Sequence, residues 1–118
     1  MTKRKAGSNP LGKIYISEEA IATLAGLATN ESYGVVGMVS RRFSDGLTEL
    51  LGRESLGRGV EVVWQDQQLY IEVHVVVSYG TRISEVARNV ISRVHYTVQK
   101  YTELPIAWVT VNVRSIKI

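Results

Sequence analysis

The most constraining feature of this 118-residue chain is a strict alternation of aliphatic side chains over residues 69–78. Every second position is aliphatic, and these positions are Leu69, Ile71, Val73, Val75 and Val77. The positions between them hold Tyr70, Glu72, His74, Val76 and Ser78. Because successive side chains of a strand point to opposite faces, the pattern predicts a long strand with one wholly apolar face. A face of this kind has to be covered by a second layer of structure.

Other strand candidates lie on both sides of this segment. Residues 60–65 also alternate, and Asp66 and Gln67 separate the two runs, so we predict an antiparallel hairpin. Residues 107–114 alternate in the same way and predict a last strand. Residues 13–16 and the apolar run at residues 34–39 are two further, shorter strand candidates.

Two amphipathic helices are predicted to cover the sheet. Ser17 is a suitable N-cap for a helix from about Glu18 to Thr29. Thr81 is placed to cap a second helix, whose apolar face continues to about Thr102 before Pro105 prevents its continuation. One or two helical turns are expected around residues 47–51, ended by nearby glycines. The predicted fold is therefore an α+β two-layer sandwich, with a mixed or antiparallel sheet under two amphipathic helices.

Composition places the positive charge at one end of the chain. The net charge is +3, from 14 basic and 11 acidic residues. Lys3, Arg4 and Lys5 account for the excess, because the remaining 11 basic residues balance the 11 acidic ones. We therefore predict a flexible basic tail at residues 1–11 and a single domain at residues 12–118. The absence of cysteine, of a signal-peptide pattern and of a membrane-spanning run favours a cytoplasmic protein.

The residues that most often carry catalysis are few and isolated in the sequence. His74 lies two residues from Glu72 and could form an acid–base pair or half of a metal site, but a solvent-facing pair on a strand is the favoured interpretation. No metal-binding motif or nucleophile motif is present. The turn around Tyr79 is interpreted as structural. We therefore predict no enzyme activity, no cofactor and no metal.

Two sets of side chains are candidates for binding a partner. Arg82, Arg93 and Lys100 fall within roughly 20° of each other on a helical wheel, forming either a solvated face or a docking surface for an acidic partner or an anionic lipid. Tyr70 and Trp108 lie opposite the apolar faces of their strands, which suggests self-association or a partner protein. The three cations of the tail supply only about 3 kcal/mol at an anionic membrane. Membrane association is therefore expected only through a protein partner.

A glycine pattern raises the alternative of RNA binding. Gly34 and Gly37 enclose two valines after the first helix, where RNA-binding KH domains carry a GxxG loop. The valines favour burial over phosphate binding, and the body of the chain carries no net positive charge. Nucleic acid is therefore a less favoured partner than protein.

An ordered set of sequence blocks resembles a known family. The blocks are GKIYIS at residues 12–17, YGVVGM at 33–38, DGLTELL at 45–51, RGV at 58–60, VVSYGTRI at 76–83 and VTVNV at 109–113. In this order they are similar to the alkaline shock protein family of envelope stress response proteins of Gram-positive bacteria, particularly its short single-domain members. The resemblance runs from about Gly12 to the C-terminus, and the Lys-Arg-Lys start matches no motif of the family.

The resemblance implies a small α+β protein without catalytic activity that is abundant in the cytoplasm. Family members include some that an anchoring partner holds at the membrane and some that self-associate. The short members are encoded beside a dihydroxyacetone-kinase-like kinase tied to fatty acid activation. We therefore predict a non-enzymatic binding or scaffold protein in cell-envelope stress homeostasis. The alternatives are a KH-like RNA-binding module and a regulatory partner of that kinase.

Overall fold

The computed structural model describes residues 16–42 and 49–118 as one layer of helices on one sheet. The helices are α1 (Glu18–Asn30) and α2 (Ile83–Thr102), and a 3₁₀ helix spans Arg53–Gly59. The strands are β1 (Val35–Met38), β2 (Val60–Gln65), β3 (Gln68–Ser78) and β4 (Ile106–Lys117). The α+β two-layer architecture predicted from the alternation is confirmed.

The sheet is organised around β3, the strand with the strict alternation. Both β1 and β2 pair with it in antiparallel fashion, β2 along the first half of β3 and β1 near its end. On the other side, β4 pairs with β3 in parallel over almost its whole length. The sheet is therefore mixed, because α2 carries the chain back to the start of β3 and allows β4 to run in the same direction.

The β2–β3 connection is the predicted two-residue turn. Gln65 pairs with Gln68, and the two residues between them have positive φ angles, 55° at Asp66 and 64° at Gln67. Two-residue turns with positive φ at both positions match the twist of the strands that they join. Aspartate tolerates this conformation well and glutamine does so less readily, so the turn is set more by the strands than by Gln67.

The core lies between the helices and the apolar side of β3. Leu69, Val73, Val75 and Val77 have no exposed surface, and Ile71 is almost fully buried. The helices contribute buried residues at helical spacing, namely Ile21, Ala25 and Ala28 of α1 and Val86, Val90, Val94 and Val98 of α2. The apolar residues on either side of the helix–sheet interface are thus the ones that the two periodicities select.

Several local predictions are corrected by the structure. The N-cap of α2 is Arg82, not Thr81, whose hydroxyl instead donates to the carbonyl oxygen of Ser78 at 2.6 Å. Residues 53–59 form the 3₁₀ helix, although glycines at both of its ends indicated a break. Ile16 is not in a strand, whereas residues 1–15 and 43–48 lie outside the described residues. The predicted tail at residues 1–11 and its boundary therefore stay predictions.

Candidate functional site

The two faces of the sheet differ in what covers them. We call the side that packs against the helices the closed face and the opposite side the open face. Neither described helix packs on the open face, which carries every second side chain of the strands. Its side chains are Glu61 and Val63 of β2, Tyr70, Glu72, His74 and Val76 of β3, and Trp108, Thr110, Asn112 and Arg114 of β4.

Two aromatic residues are the most exposed apolar side chains on this face. Tyr70 pairs with Val63 on one side and with Trp108 on the other, so the three residues form a row across three strands. Trp108 is 65% exposed and Tyr70 is 37% exposed. The structure thus brings together the two aromatic candidates of the sequence. Side chains of this kind, held by a rigid sheet, are the type most often found at the centre of protein interfaces.

His74 occupies the middle of the open face. The prediction that it faces solvent is wrong. It is only 6% exposed, and Nη1 of Arg114 lies 3.1 Å from its Nδ1. A guanidinium can only donate, so Nδ1 accepts and the ring carries its proton on Nε2. Burial lowers the pKa of His74 below its ordinary value, and Arg114 and Arg41 lower it further, against the opposing effect of Glu72 and Glu61. The ring is therefore neutral at pH 7.

A second polar pair lies next to the histidine. The side-chain amide of Asn112 donates to Oε2 of Glu72 at 3.0 Å. Glu72 stands directly opposite Glu61 in the β2–β3 pair. Like charges in this position destabilise a sheet, and the hydrogen bond from Asn112 stabilises the carboxylate of Glu72 against that repulsion. The polar centre of the open face is thus held together by contacts within the chain.

The three basic candidates lie on α2 and at its start, away from the open face. Arg82 is 3.9 Å from Glu85, and Arg93 is 3.4 Å from Glu31 at the end of α1. The ammonium of Lys100 lies 5.6 Å and 5.5 Å from the ring centres of Tyr96 and Tyr101. Each cation therefore has a contact within the chain, and the five sequence candidates fall on two opposite sides of the molecule.

A groove of about 860 Å³ lies between the start of α1, the 3₁₀ helix and β2. Its lining combines three arginines with four glutamates, namely Arg41, Arg42, Arg58, Glu18, Glu19, Glu54 and Glu61. The guanidinium of Arg41 also donates to the carbonyl oxygen of Val60 at 3.2 Å. Carboxylates among the arginines repel phosphate groups, so the groove does not have the charge of a nucleic-acid cleft.

The GxxG segment is part of the sheet and not a loop that could hold phosphate. Val35 pairs with Val77 and Gly37 pairs with Val76, so both lie in β1. Gly34 has a φ of +87°, and a Cβ atom there would lie 2.4 Å from Cγ2 of Val86. This glycine is required by a turn and by the close approach of α2, which gives it a structural role.

Within residues 16–42 and 49–118, no group of three or more histidine, aspartate or glutamate side chains is placed to hold a metal ion. Neither helix of the described part combines the length and the apolarity needed to cross a bilayer.

Sequence reasoning missed the Arg114–His74 and Asn112–Glu72 contacts. The alternation of β4 already placed Asn112 and Arg114 on the same face as Trp108. What it could not supply was the parallel β3–β4 pairing, which sets His74 beside Asn112 and brings Arg114 within reach. The register of two distant strands is a tertiary property, and neither strand encodes it alone.

Solved structures with the same fold place the chain in a class of small α+β domains. It is similar to a variant of the MamM CTD, with a TM-score of 0.51 and 13% identity over 84% of this chain and 95% of that one. The copper form of the MamM CTD gives a TM-score of 0.50 at 14% identity, covering 85% of this chain and 87% of that one. At this level of identity the likeness concerns the fold alone.

Sequence relatives define the family. The alkaline shock protein 23 family, described as having a cell envelope-related function, matches residues 6–118. The uncharacterized protein YloU of Bacillus subtilis is 44% identical over 108 residues, 91% of this chain and 90% of its own length. The uncharacterized protein Spy1614 of Streptococcus pyogenes is 37% identical over 108 residues, 91% of this chain and 89% of its own. The chain belongs to the alkaline shock protein 23 family.

Proposed function

We propose that this chain is a non-enzymatic binding protein of the cytoplasm that serves cell-envelope homeostasis through the open face of its sheet. The observation that carries the proposal is the row formed by Val63, Tyr70 and Trp108. Tryptophan and tyrosine bury a large area at little entropic cost, and truncating them in interfaces commonly costs 2 kcal/mol or more. The family's cell envelope-related function supports the setting.

The polar centre of the face gives the proposed surface its shape. Asn112 holds Glu72, and Arg114 contacts the buried His74, so the half-buried polar groups beside the aromatic row are fixed by contacts within the chain. A partner that covers Trp108 would therefore meet an apolar anchor point next to a rigid polar area. This combination of an aromatic anchor and a polar surround is typical of interfaces between separately folded proteins.

The partner is expected to be a protein, and any contact with the membrane is expected to pass through it. The basic tail alone would contribute about 3 kcal/mol at an anionic surface, which is weaker than a millimolar affinity. Arg82, Arg93 and Lys100 stay candidates for a second, electrostatic contact. Because each already has a contact within the chain, we assign the main binding energy to Tyr70 and Trp108.

Capture of partners from cells tests this assignment. The tagged wild-type chain, a Tyr70→Ser/Trp108→Ser variant and a Tyr96→Ser/Tyr101→Ser control would be crosslinked in cells and purified in parallel. The control removes two aromatic residues of α2 that are at least as exposed as the open-face pair. We expect the wild type and the control to recover the same protein and the open-face variant to lose it. Equal recovery by all three chains would contradict the proposal.

A further inference from the structure

The free edge of β4 lacks the features that usually protect an edge strand. Among the described residues, no strand pairs with β4 on the side away from β3. From Ile106 to Val113 it contains no charged residue, no proline and no glycine. The β3–β4 register is irregular near Ala107 and near Arg114, which leaves residues 108–113 as a regular strand. Edges of folded proteins are normally blocked by charges, proline or bulges, since an open edge is a template for another strand.

An apolar flank of α2 lies beside this edge. Ile91 is 38% exposed, and at 100° per residue it lies roughly 160° around the helix from Arg93. Because Arg93 reaches Glu31 at the end of α1, Ile91 is on the flank directed away from α1 and toward the β4 side of the sheet. Val111 and Val113 of β4 lie on the closed face and are only partly buried.

Measured along the strand direction, Ile91 and the middle of the free β4 edge lie at the same height. Tyr79 precedes α2, and its backbone N–H donates to the carbonyl oxygen of Lys117. Pro105 follows α2, and its carbonyl oxygen accepts from the backbone N–H of Leu69. Thus α2 begins beside the end of β4 and finishes beside its start. Ile91, near the middle of α2, is therefore level with the middle of β4, which is close to Val111.

We propose that two copies of this chain pair through β4, antiparallel, about a two-fold axis that passes through Val111. The axis stands perpendicular to the sheet, so the two four-stranded sheets join into one, and both α2 helices lie side by side on the closed face. A single axis at this level brings both the free edges and the two Ile91 side chains together. This coincidence is the reason for assigning the edge to a second copy.

The pairing is self-complementary from residue 109 to residue 113, within the regular segment. Val109 faces Val113 of the second copy, Thr110 faces Asn112, and Val111 faces itself. Arg114, the nearest charged residue of β4, lies in the irregular part of the strand, so no two cations stand opposite each other within the paired segment. The open faces of both copies remain on one side, which would present two aromatic rows to a partner and add avidity to each contact.

Registered cysteine pairs test the proposal, and the chain contains no cysteine of its own. Thr110→Cys and Asn112→Cys chains would be oxidised separately and as an equimolar mixture. The mixture should give a disulfide-linked dimer in at least tenfold higher yield than either variant alone. The reason is that residues directly opposite lie within disulfide reach and diagonal neighbours do not. Equal yields in all three samples, or no linked dimer at all, would overturn the proposed register.

Dilution experiments test the dimer without any crosslink. Light scattering of the wild type should show the mass rising from 13.1 kDa toward twice that value with concentration. Ile91→Asp should raise the dissociation constant at least tenfold, whereas Ile83→Asp, at a comparably exposed isoleucine far from the axis, should leave it unchanged. A wild-type chain that stays monomeric, or equal effects of both variants, would overturn the proposal. The capture experiment with the Tyr70 and Trp108 variant has its own readout. The dimer and the proposed function can therefore fail independently of each other.

Discussion

The closed and open faces of the sheet are built from the same four strands but differ in what covers them. On the closed face, the side chains of β3 from Leu69 to Val77 are buried against two helices. On the open face of the same strand, an exposed tyrosine is followed by a glutamate, a buried histidine and a valine. Burial of apolar area stabilises the fold, and an exposed aromatic row does not. The comparison teaches that one strand separates the residues that stabilise the fold from the residues that we propose to bind a partner.

The largest expected effect is on the closed face. Leu69→Ala removes a side chain with no exposed surface and leaves a cavity under the helices. We expect the free energy of unfolding to fall by about 3 kcal/mol, within the usual range for such substitutions. Urea unfolding followed by circular dichroism measures it. A loss below 1 kcal/mol would mean that the closed face is not the main source of stability.

Gly34→Ala should come next. The positive φ of +87° disfavours any residue with a Cβ atom, and the new atom would lie 2.4 Å from Cγ2 of Val86. We expect a loss of about 2 kcal/mol, from the backbone conformation and the displacement of α2 together. Gly80→Ala is the matched control, since it has a φ of +90° but no atom within 4 Å of the added Cβ. Its smaller loss would measure the backbone contribution alone.

The histidine of the open face predicts a pH dependence. Because its pKa is lowered in the folded protein, the unfolded chain takes up the proton first as the pH falls. The stability is therefore fully present above about pH 6.5 and decreases below it, toward the folded-state pKa. His74→Gln should make the curve flatter between pH 7 and pH 5.5. A wild-type curve that rises as the pH falls through this window would contradict the neutral, Arg114-bound ring.

A small gain in stability is expected from the facing glutamates. Glu61→Gln removes the like-charge contact with Glu72 and leaves the Asn112 hydrogen bond intact. We expect the free energy of unfolding to rise by about 0.3 kcal/mol at low salt, and the gain to shrink at high salt. Thermal unfolding at both salt concentrations is a sufficient measurement. A destabilised variant would show that Glu61 makes a favourable contact instead.

Little effect on stability is expected at the most exposed aromatic residue of the sheet. Trp108→Ala truncates a side chain that is 65% exposed and packs against no helix of the described part. We expect a change within about 0.5 kcal/mol in the free energy of unfolding of the monomer. The same urea titration used for Leu69→Ala gives the direct contrast between the two faces. A loss above 2 kcal/mol would assign Trp108 to the structural core.

The architecture could be predicted because it follows from periodicity. The alternation of β3, the helical spacing from Val86 to Val98 and the two-residue turn at Asp66 each specify a local structure. The same patterns separated the closed from the open face and identified Tyr70 and Trp108. Such features depend on neighbouring residues and on one buried surface, so they can be recognised without the fold.

The environment of His74 could not be predicted, because it depends on long-range pairing. Arg114 is 40 positions away in sequence and comes within 3.1 Å only when β4 pairs in parallel with β3. The cap of α2 was missed for a different reason. Thr81 has the right side chain for a cap, but its hydroxyl is used by the carbonyl of Ser78 in the preceding turn.

Site-specific photocrosslinking tests the division between the faces most directly. A benzoylphenylalanine placed at Tyr70 adds a reactive group at the centre of the open face, and the same residue at Tyr96 serves as a control on α2. Irradiation in cells should link position 70 to one defined partner protein that position 96 does not capture, with the melting temperature unchanged in both. A partner captured equally from both positions, or only from Tyr96, would contradict the account.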